Sequence, residues 1–415
     1  MRILMRASQS PFDNISPFET ILYDKIWSNV GNLLFPFSLF KILISEDTTI
    51  DIYSSLPKSS DAEYINANYD MFLLPFANAF RQAFEKQLVL WTELIEKIQI
   101  PCVVVGIGAQ AGLDFNSNTS FVFDASAKRF CNAVASKSAY IGVRGELTYE
   151  YLKRLGYGSV TKVIGCPSMY MYGANLPEPK QKKDGELVVS VNSKNSDSEK
   201  IKEFLFRNNS CRYFVPQETY EFKISYCGMP AIHAERTNNM YPLSIDNDLF
   251  YKDKVRFCVN VPSWLKLLNT VDLSIGSRIH GNIAAVLAGV PAFIIATDSR
   301  ILELARFHNI PYTESNAFDF SKSFRAVYDE TDFTTVNKNH ENNYYNFVKF
   351  LEANGLSPII QPNAFFDKKV EEIDYYPAVT NILQVPEEEQ AQRLNDFYGH
   401  LLRKIDKLTK KLNTK

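Results

Sequence analysis

Metal-ligand and disulfide spacings are missing from this 415-residue chain. Its six cysteines (Cys102, Cys131, Cys166, Cys211, Cys227 and Cys258) include no C-x-x-C pair, which argues against a zinc knuckle or a small disulfide framework and for buried thiols. The five histidines never fall into H-E-x-x-H or a comparable spacing, so no metal site is expected. Neither charge sign dominates. Lys and Arg number 45 against 47 Asp and Glu, and a net charge of −2 gives no global pull toward nucleic acid. Any anionic ligand must then be held by a local cluster. No run of about 18 apolar residues occurs, and the amino terminus lacks a long apolar segment before small residues, so a cytoplasmic chain is expected. Internal repeats and low-complexity tracts are also missing.

What the sequence does contain is apolar material for more than one core: 46% hydrophobic residues over a length that exceeds an ordinary domain. Strand-like and helix-like segments alternate for most of the chain, the pattern of parallel sheets with crossover helices. In the first part the expected elements are a helix at 80–97, a buried strand at 100–108, a helix near 125–136, a strand at 139–143, a helix at 146–155 and a strand at 162–164. Residues 176–185, rich in proline and charge, read as a linker. Beyond it come a strand at 186–191, a helix at 197–206, a strand at 212–215 and a long polar loop through about residue 251. A helix at 263–269, a strand at 271–275, a helix at 280–287, a strand at 292–296 and a helix at 301–307 complete the pattern. The expected division is an α/β domain at 1–178, a second at 179–320 and a largely helical extension at 321–415. From Leu401 the chain carries Arg403, Lys404, Lys407, Lys410, Lys411 and Lys415 against Asp406. That tail reads either as a solvated face packed on a neighbouring domain or chain, or as a contact with anionic headgroups on the inner face of the membrane.

Residues 271–311 carry the chemistry. A buried strand runs into Gly276-Ser277-Arg278-Ile279-His280-Gly281 and then a small-residue helix. Ligands of open parallel sheets sit beyond the carboxyl ends of strands, where a helix start offers unpaired N–H groups, so Arg278 and His280 stand where an anion would bind. The following strand delivers Arg300 to another helix start. If the two strands are neighbours, two guanidinium forks flank one pocket and suit a ligand with both a carboxylate and a phosphate. Each of these residues could instead cap a helix or pair with a surface acid, Asp298 and Glu303 being near Arg300 in sequence.

Arg278-Ile279-His280-Gly281, followed by Ala288-Gly289-Val290-Pro291, an apolar strand and a basic residue before a helix, resembles the polysaccharide pyruvyl transferase family. Asn29-Val30-Gly31-Asn32 is similar to that family's early Asn-x-Gly segment, Gly106-Ile107-Gly108-Ala109-Gln110 to its Gly-rich strand end, and Val143-Arg144 to its Val-Arg. The likeness spans roughly residues 25 to 312. It departs at Gly145, where the family often has an acid, at Gly165-Cys166-Pro167-Ser168, where it often has Asp-Pro, and at Leu74-Pro75-Phe76-Ala77-Asn78, which replaces a Gly-rich loop.

The resemblance implies two doubly wound, Rossmann-like domains facing a cleft, as in glycosyltransferases of the GT-B type. It implies phosphoenolpyruvate as donor substrate without a separate cofactor or metal, and a ketal built across two hydroxyls of a sugar in a surface or capsular polysaccharide or its precursor, lipid-linked or not. Arg144, Arg278 and Arg300 would hold the donor and His280 would act as general acid, with Ser277, Gly281, Asn29, Gly31, Gly108 and Gln110 lining the substrates. The competing readings are a sugar-nucleotide glycosyltransferase, with Glu303 as its ribose-binding acid, and a non-catalytic binding protein of polysaccharide assembly.

Overall fold

A computed structural model describes residues 1–115, 119–207, 211–231 and 240–413, with side chains through residue 410. Part of the polar loop expected up to residue 251, namely 232–239, lies outside the described residues, as do Lys415 and the side chain of Lys411.

Short runs rich in β-branched and aromatic residues form the strands; the central ones are buried because crossover helices cover each side, whereas the edge strands keep partly or fully exposed positions. In the first sheet the strands are β1 (Arg2–Arg6), β2 (Thr49–Tyr53), β3 (Met71–Pro75) and β4 (Cys102–Val105), in the order β2-β1-β3-β4 and all parallel. β5 (Ile141–Val143) and β6 (Thr161–Val163) pair in parallel, and a bridge from Ile107 to Val143 joins them to the end of β4. The second sheet is built from β7 (Val189–Asn192), β8 (Cys211–Phe214), β10 (Leu273–Gly276), β11 (Ala292–Ala296) and β12 (Tyr312–Glu314), in the parallel order β12-β11-β10-β7-β8. β9 (Arg256–Phe257) and β13 (Val379–Thr380) form a small antiparallel pair. The chain is thus α/β with two parallel sheets, and the neighbouring of β10 and β11 is what the pocket argument requires.

The expected elements fall close to their places: helices occupy Glu85–Lys97, Asp124–Ala135, Glu146–Arg154, Glu199–Phe206, Val261–Leu268, Ile279–Leu287 and Ser299–Phe307. Helices at Pro17–Leu22, Ala62–Asn68 and Asp248–Tyr251 were not expected, and two further unexpected helices bear on the core and the site. Leu34–Leu43 is buried at all ten positions, including Lys41, whose ammonium pairs with Asp367 at 2.6 Å. Thr219–Cys227 stands inside the segment read as loop; it lacks a one-sided apolar stripe because Glu221, Phe222, Ile224, Ser225, Tyr226 and Cys227 are all buried.

The last hundred residues are largely helical and pack back on the first sheet's side. Phe366 lies edge-on to Phe37 at 5.2 Å, Phe347 stacks on Tyr170 at 4.7 Å, and Asn363 donates to the carbonyls of Lys41 and Ile44 at 2.8 Å each. One apolar core therefore runs from Ile3 and Phe40 through Ile283 and Ile294 to Phe347. Removing a fully buried ring such as Phe40 would cost about 3–5 kcal/mol. All six cysteines are buried free thiols. The final helix, Glu387–Asn413, exposes Leu401, Leu402, Ile405 and Leu408 beside its cations. Among the described residues no helix is long and apolar enough to cross a membrane.

Candidate active site

The site begins where β10 ends against β7. Gly276 has a φ of +154°, and any Cβ there would overlap the Asn192 carbonyl oxygen, so only glycine lets the two strand ends meet. Asn192 then organises the turn. Its carbonyl accepts from the Ser277 N–H at 3.1 Å, and its side-chain oxygen accepts from the Arg278 N–H at 2.9 Å. The helix Ile279–Leu287 starts from that anchor, and its first turn sends His280 toward the first sheet and Arg278 toward the second.

His280 is buried, and its Nε2 has no hydrogen-bond partner. Its ring lies 5.9 Å from that of Phe35 and against Gly31, where a Cβ would fall 2.6 Å from Nδ1. Asn29 fixes Gly31 by accepting its N–H at 2.8 Å, so two residues far away in sequence make the space that the imidazole occupies. Burial, then the positive charges of Arg144 and Arg300, hold His280 well below the usual histidine range. The imidazole is neutral at pH 7.

Arg144 leaves the end of β5, almost wholly buried, with Nε donating to the Gly106 carbonyl at 2.8 Å and one terminal nitrogen, Nη1, without a partner. Gly108 makes room for it: a Cβ there would sit 2.9 Å from Arg144 Cδ. Burial lowers the guanidinium to about 10, with the Arg300 charge adding to the effect and Cys166, Glu303 and Asp298 opposing it; it stays cationic at neutral pH. Arg300 reaches Asp298 at 3.3 Å and leaves its Nε buried and unbonded. Asp298 caps the helix Ser299–Phe307 through the Ile301 N–H at 3.0 Å and meets Lys194 at 3.5 Å. Arg144, His280 and Arg300 therefore converge, and each presents a buried nitrogen with no partner. Unsatisfied buried donors are rare and costly, and a cluster of them between two like charges suits an anion.

Arg278, expected to share that pocket, faces two carboxylates instead, although its Nη2, like the nitrogens above, is buried without a hydrogen-bond partner. Its Nε donates to the Ser193 carbonyl at 2.9 Å, Nη1 pairs with Glu218 at 2.6 Å and Nη2 lies 3.7 Å from Glu221. Burial works to lower Arg278, but the Glu221 and Glu218 charges outweigh it and hold the guanidinium above its usual range. Both acids belong to the start of the helix Thr219–Cys227 that the sequence reading missed. Ser277 and Gly281 lie on the same flank: Ser277 donates to Asp197, and Gly281 lets Gln217 approach to within 2.6 Å of where a Cβ would be. Gln110 accepts from Asn78, which lines a neighbouring cleft, at 2.6 Å.

Glu303 takes a place the sequence left unassigned. It is buried, and its two oxygens accept from the Thr148 N–H at 3.0 Å and hydroxyl at 2.8 Å, while burial raises its carboxyl to about 7. Gly145 is where it packs, since a Cβ there would lie 2.8 Å from Glu303 Cβ. The residue that departs from the family pattern thus admits an acid from the other sheet. Gly165 likewise admits His308, whose Nε2 accepts from the Cys166 N–H at 2.8 Å. Neither docking was readable beforehand, because each joins residues more than 130 positions apart.

A family model described as polysaccharide pyruvyl transferase matches residues 29–299. No curated protein matches the sequence. Among solved structures, a UDP-GlcNAc 2-epimerase from Methanocaldococcus jannaschii is similar with a TM-score of 0.44 at 12% identity, over 85% of this chain and 99% of its own. A protein of uncharacterized function from Klebsiella pneumoniae aligns with a TM-score of 0.39 at 12% identity, over 75% and 92%. The glycosyltransferase SnogD from Streptomyces nogalater aligns with a TM-score of 0.33 at 14% identity, over 85% and 98%.

Proposed function

Since the chain belongs to the polysaccharide pyruvyl transferase family, we propose that it transfers a pyruvyl group from phosphoenolpyruvate to two hydroxyls of a sugar, with release of phosphate. The observation that carries this reading is the set of unpartnered nitrogens on Arg144, His280 and Arg300, gathered from the ends of β5, β10 and β11. Two guanidinium groups match a donor that carries one carboxylate and one phosphate. His280, beside them, acts on the methylene carbon next to the one that joins the two groups.

In the proposed route the donor's negative charge favours the cationic imidazole, and His280 takes a proton from solvent as the donor binds. Its proton passes to the methylene carbon, which becomes a methyl group, and the neighbouring carbon becomes an oxocarbenium-like electrophile. The first sugar hydroxyl adds to that carbon and returns its proton to the imidazole. Phosphate leaves with cleavage of its bond to the same carbon, carrying the proton of the second hydroxyl as that oxygen closes the ketal. Arg144 and Arg300 stabilise the charge on the departing phosphate without having to move. Arg278 acts at a distance, by fixing the Glu218 to Glu221 turn against the start of the His280 helix.

The rival reading as a sugar-nucleotide glycosyltransferase needs a free acid for the ribose. Glu303, its candidate, has both oxygens engaged by Thr148. The acceptor is a precursor of a surface polysaccharide in this reading, and the carbohydrate-modifying site faces the cytoplasm. The exposed apolar and cationic stripe of Glu387–Asn413 then lies against anionic headgroups, near a lipid-linked acceptor. Acceptor-dependent phosphate release from phosphoenolpyruvate tests the proposal. Wild type should release phosphate across a panel containing the right sugar, and His280→Ala should lose roughly 100-fold or more of that rate; equal rates would remove His280 from the chemistry.

A further inference from the structure

Beside the donor cluster lies a cleft of about 460 Å³ that the proposed donor chemistry does not use. Phe35 joins the two, since it lines the cleft and its ring lies against His280. The walls are aromatic, with Trp27, Phe76, Phe84 and Trp91. Arg6, at the carboxyl end of β1, runs among these rings: its guanidinium carbon is 4.5 Å from the centre of Trp27, 4.7 Å from Phe76 and 5.5 Å from Trp91. One terminal nitrogen donates to the Pro75 carbonyl at 3.0 Å, and Nε is buried without a partner. Arg81 stands on the same wall. Among the described residues the ion-paired arginines are others, so neither Arg6 nor Arg81 is neutralised by a carboxylate. Asp24, the acid in the lining, is already engaged: it accepts from the Ser28 N–H at 2.7 Å and from the Thr219 hydroxyl at 2.9 Å.

The rim is held in an unusual conformation. Asp24, Trp27 and Ser28 have φ values of 46°, 44° and 65°, a left-handed backbone that non-glycine residues seldom adopt and that tends to gather where ligands are held. The Thr219 N–H clamps this loop through the Ser28 carbonyl at 3.1 Å, so the Trp27 indole is presented to the cleft by contacts from the second sheet's side.

We infer that the cleft is the acceptor site and takes a sugar bearing an anionic substituent, with its ring against the part-exposed Trp27 and its anion between Arg6 and Arg81. Aromatic faces suit the apolar side of a sugar ring, and unpaired guanidinium groups beside them suit a phosphate ester or a carboxylate. Burial, with the Arg81 charge beside it, pushes Arg6 down to about 9, and an anion between them relieves that repulsion. The inference relies on the pyruvyl transfer reading only for the word acceptor; the preference for a charged sugar is tested without any donor.

Two of the chain's three tryptophans line the cleft, so intrinsic fluorescence reports its occupancy. Glucose 1-phosphate, glucuronate, methyl α-glucoside and inorganic phosphate are titrated separately into the full chain. At least one of the two anionic sugars should bind roughly tenfold or more tightly than methyl α-glucoside, and whichever is preferred shows whether the anion is a phosphate ester or a carboxylate. Arg6→Gln should remove that preference, with its folding checked separately by the thermal unfolding transition. Arg81→Gln, at the rim, should act in the same direction more weakly. Equal binding of methyl α-glucoside and both anionic sugars overturns the inference, as does inorganic phosphate matching them, because then no ring is recognised. An anionic preference without phosphoenolpyruvate turnover would remove the transferase reading and leave the cleft assignment; turnover without the preference would do the reverse.

Discussion

His280 should take up a proton when the donor binds. In the empty site burial and two nearby guanidinium groups keep the imidazole neutral. The donor brings a carboxylate and a phosphate, and at a separation on the order of 5 Å in an effective dielectric of about 20 each unit charge contributes about 3 kcal/mol, or about two pKa units. Its two to three negative charges therefore oppose the repulsion from Arg144 and Arg300 and raise the imidazole's pKa from its depressed position, favouring the cation. The sign follows: a group with a depressed pKa in the free protein and a raised one in the complex makes binding tighter as pH falls, with a limit of tenfold per pH unit. Calorimetric titration of phosphoenolpyruvate near pH 7.5, in buffers of different ionisation enthalpy, counts the protons directly. The donor's own phosphate titrates near pH 6, so the informative quantity is the difference between wild type and His280→Gln. That difference should be positive and no larger than one proton. Identical proton uptake by the two proteins would refute the reasoning, because His280 would then stay neutral and could not be the acid.

Arg300→Gln should weaken phosphoenolpyruvate binding by roughly 10- to 100-fold while changing unfolding free energy by less than about 1 kcal/mol, as read by calorimetry and urea titration. Arg278→Gln should show the opposite balance, losing about 3–5 kcal/mol of stability because Glu218 and the buried Glu221 lose their cation; donor affinity that falls as far as in Arg300→Gln would place Arg278 back in the pocket. Glu303 has its carboxyl raised to about 7, so its burial stabilises the fold below its unfolded value and that stability is lost as pH rises through about 7. Between pH 5 and 8 this amounts to about 2.5 kcal/mol. Glu303→Gln should therefore flatten the fall in stability over that range, measured against wild type because His280 and His308, both depressed, act in the opposite direction below about pH 6.5. The full chain should co-sediment with phosphatidylserine vesicles at low salt and less so at 0.5 M salt, and a chain ending at residue 399 should not; equal sedimentation would remove the tail from the membrane account.

The second sheet was legible where its signals are local. Residues 271–311 repeat strand, glycine-bearing turn and small-residue helix, and β10, β11 and the two helices following them lie where that pattern puts them. The helix Thr219–Cys227 was hidden because burial on every side erases the period that identifies a surface helix. Its acids in turn hold Arg278, so the partners of that guanidinium were hidden with the helix. Arg6 escaped notice for a different reason. A five-residue strand with arginine at both ends carries little apolar pattern, and only the fold brings Trp27, Phe76 and Trp91 around its guanidinium. Glu303 shows the general limit: Gly145 reads as a missing acid until the opposite sheet is seen to supply one.

A crystal of the protein soaked with phosphoenolpyruvate addresses the pocket most directly. The donor's carboxylate and phosphate should lie within about 3 Å of Arg144 Nη1 and Arg300 Nε, with its methylene carbon facing His280 Nε2. Donor density seated instead on Arg278, or in the Arg6 cleft with Arg144 and Arg300 untouched, would contradict the account.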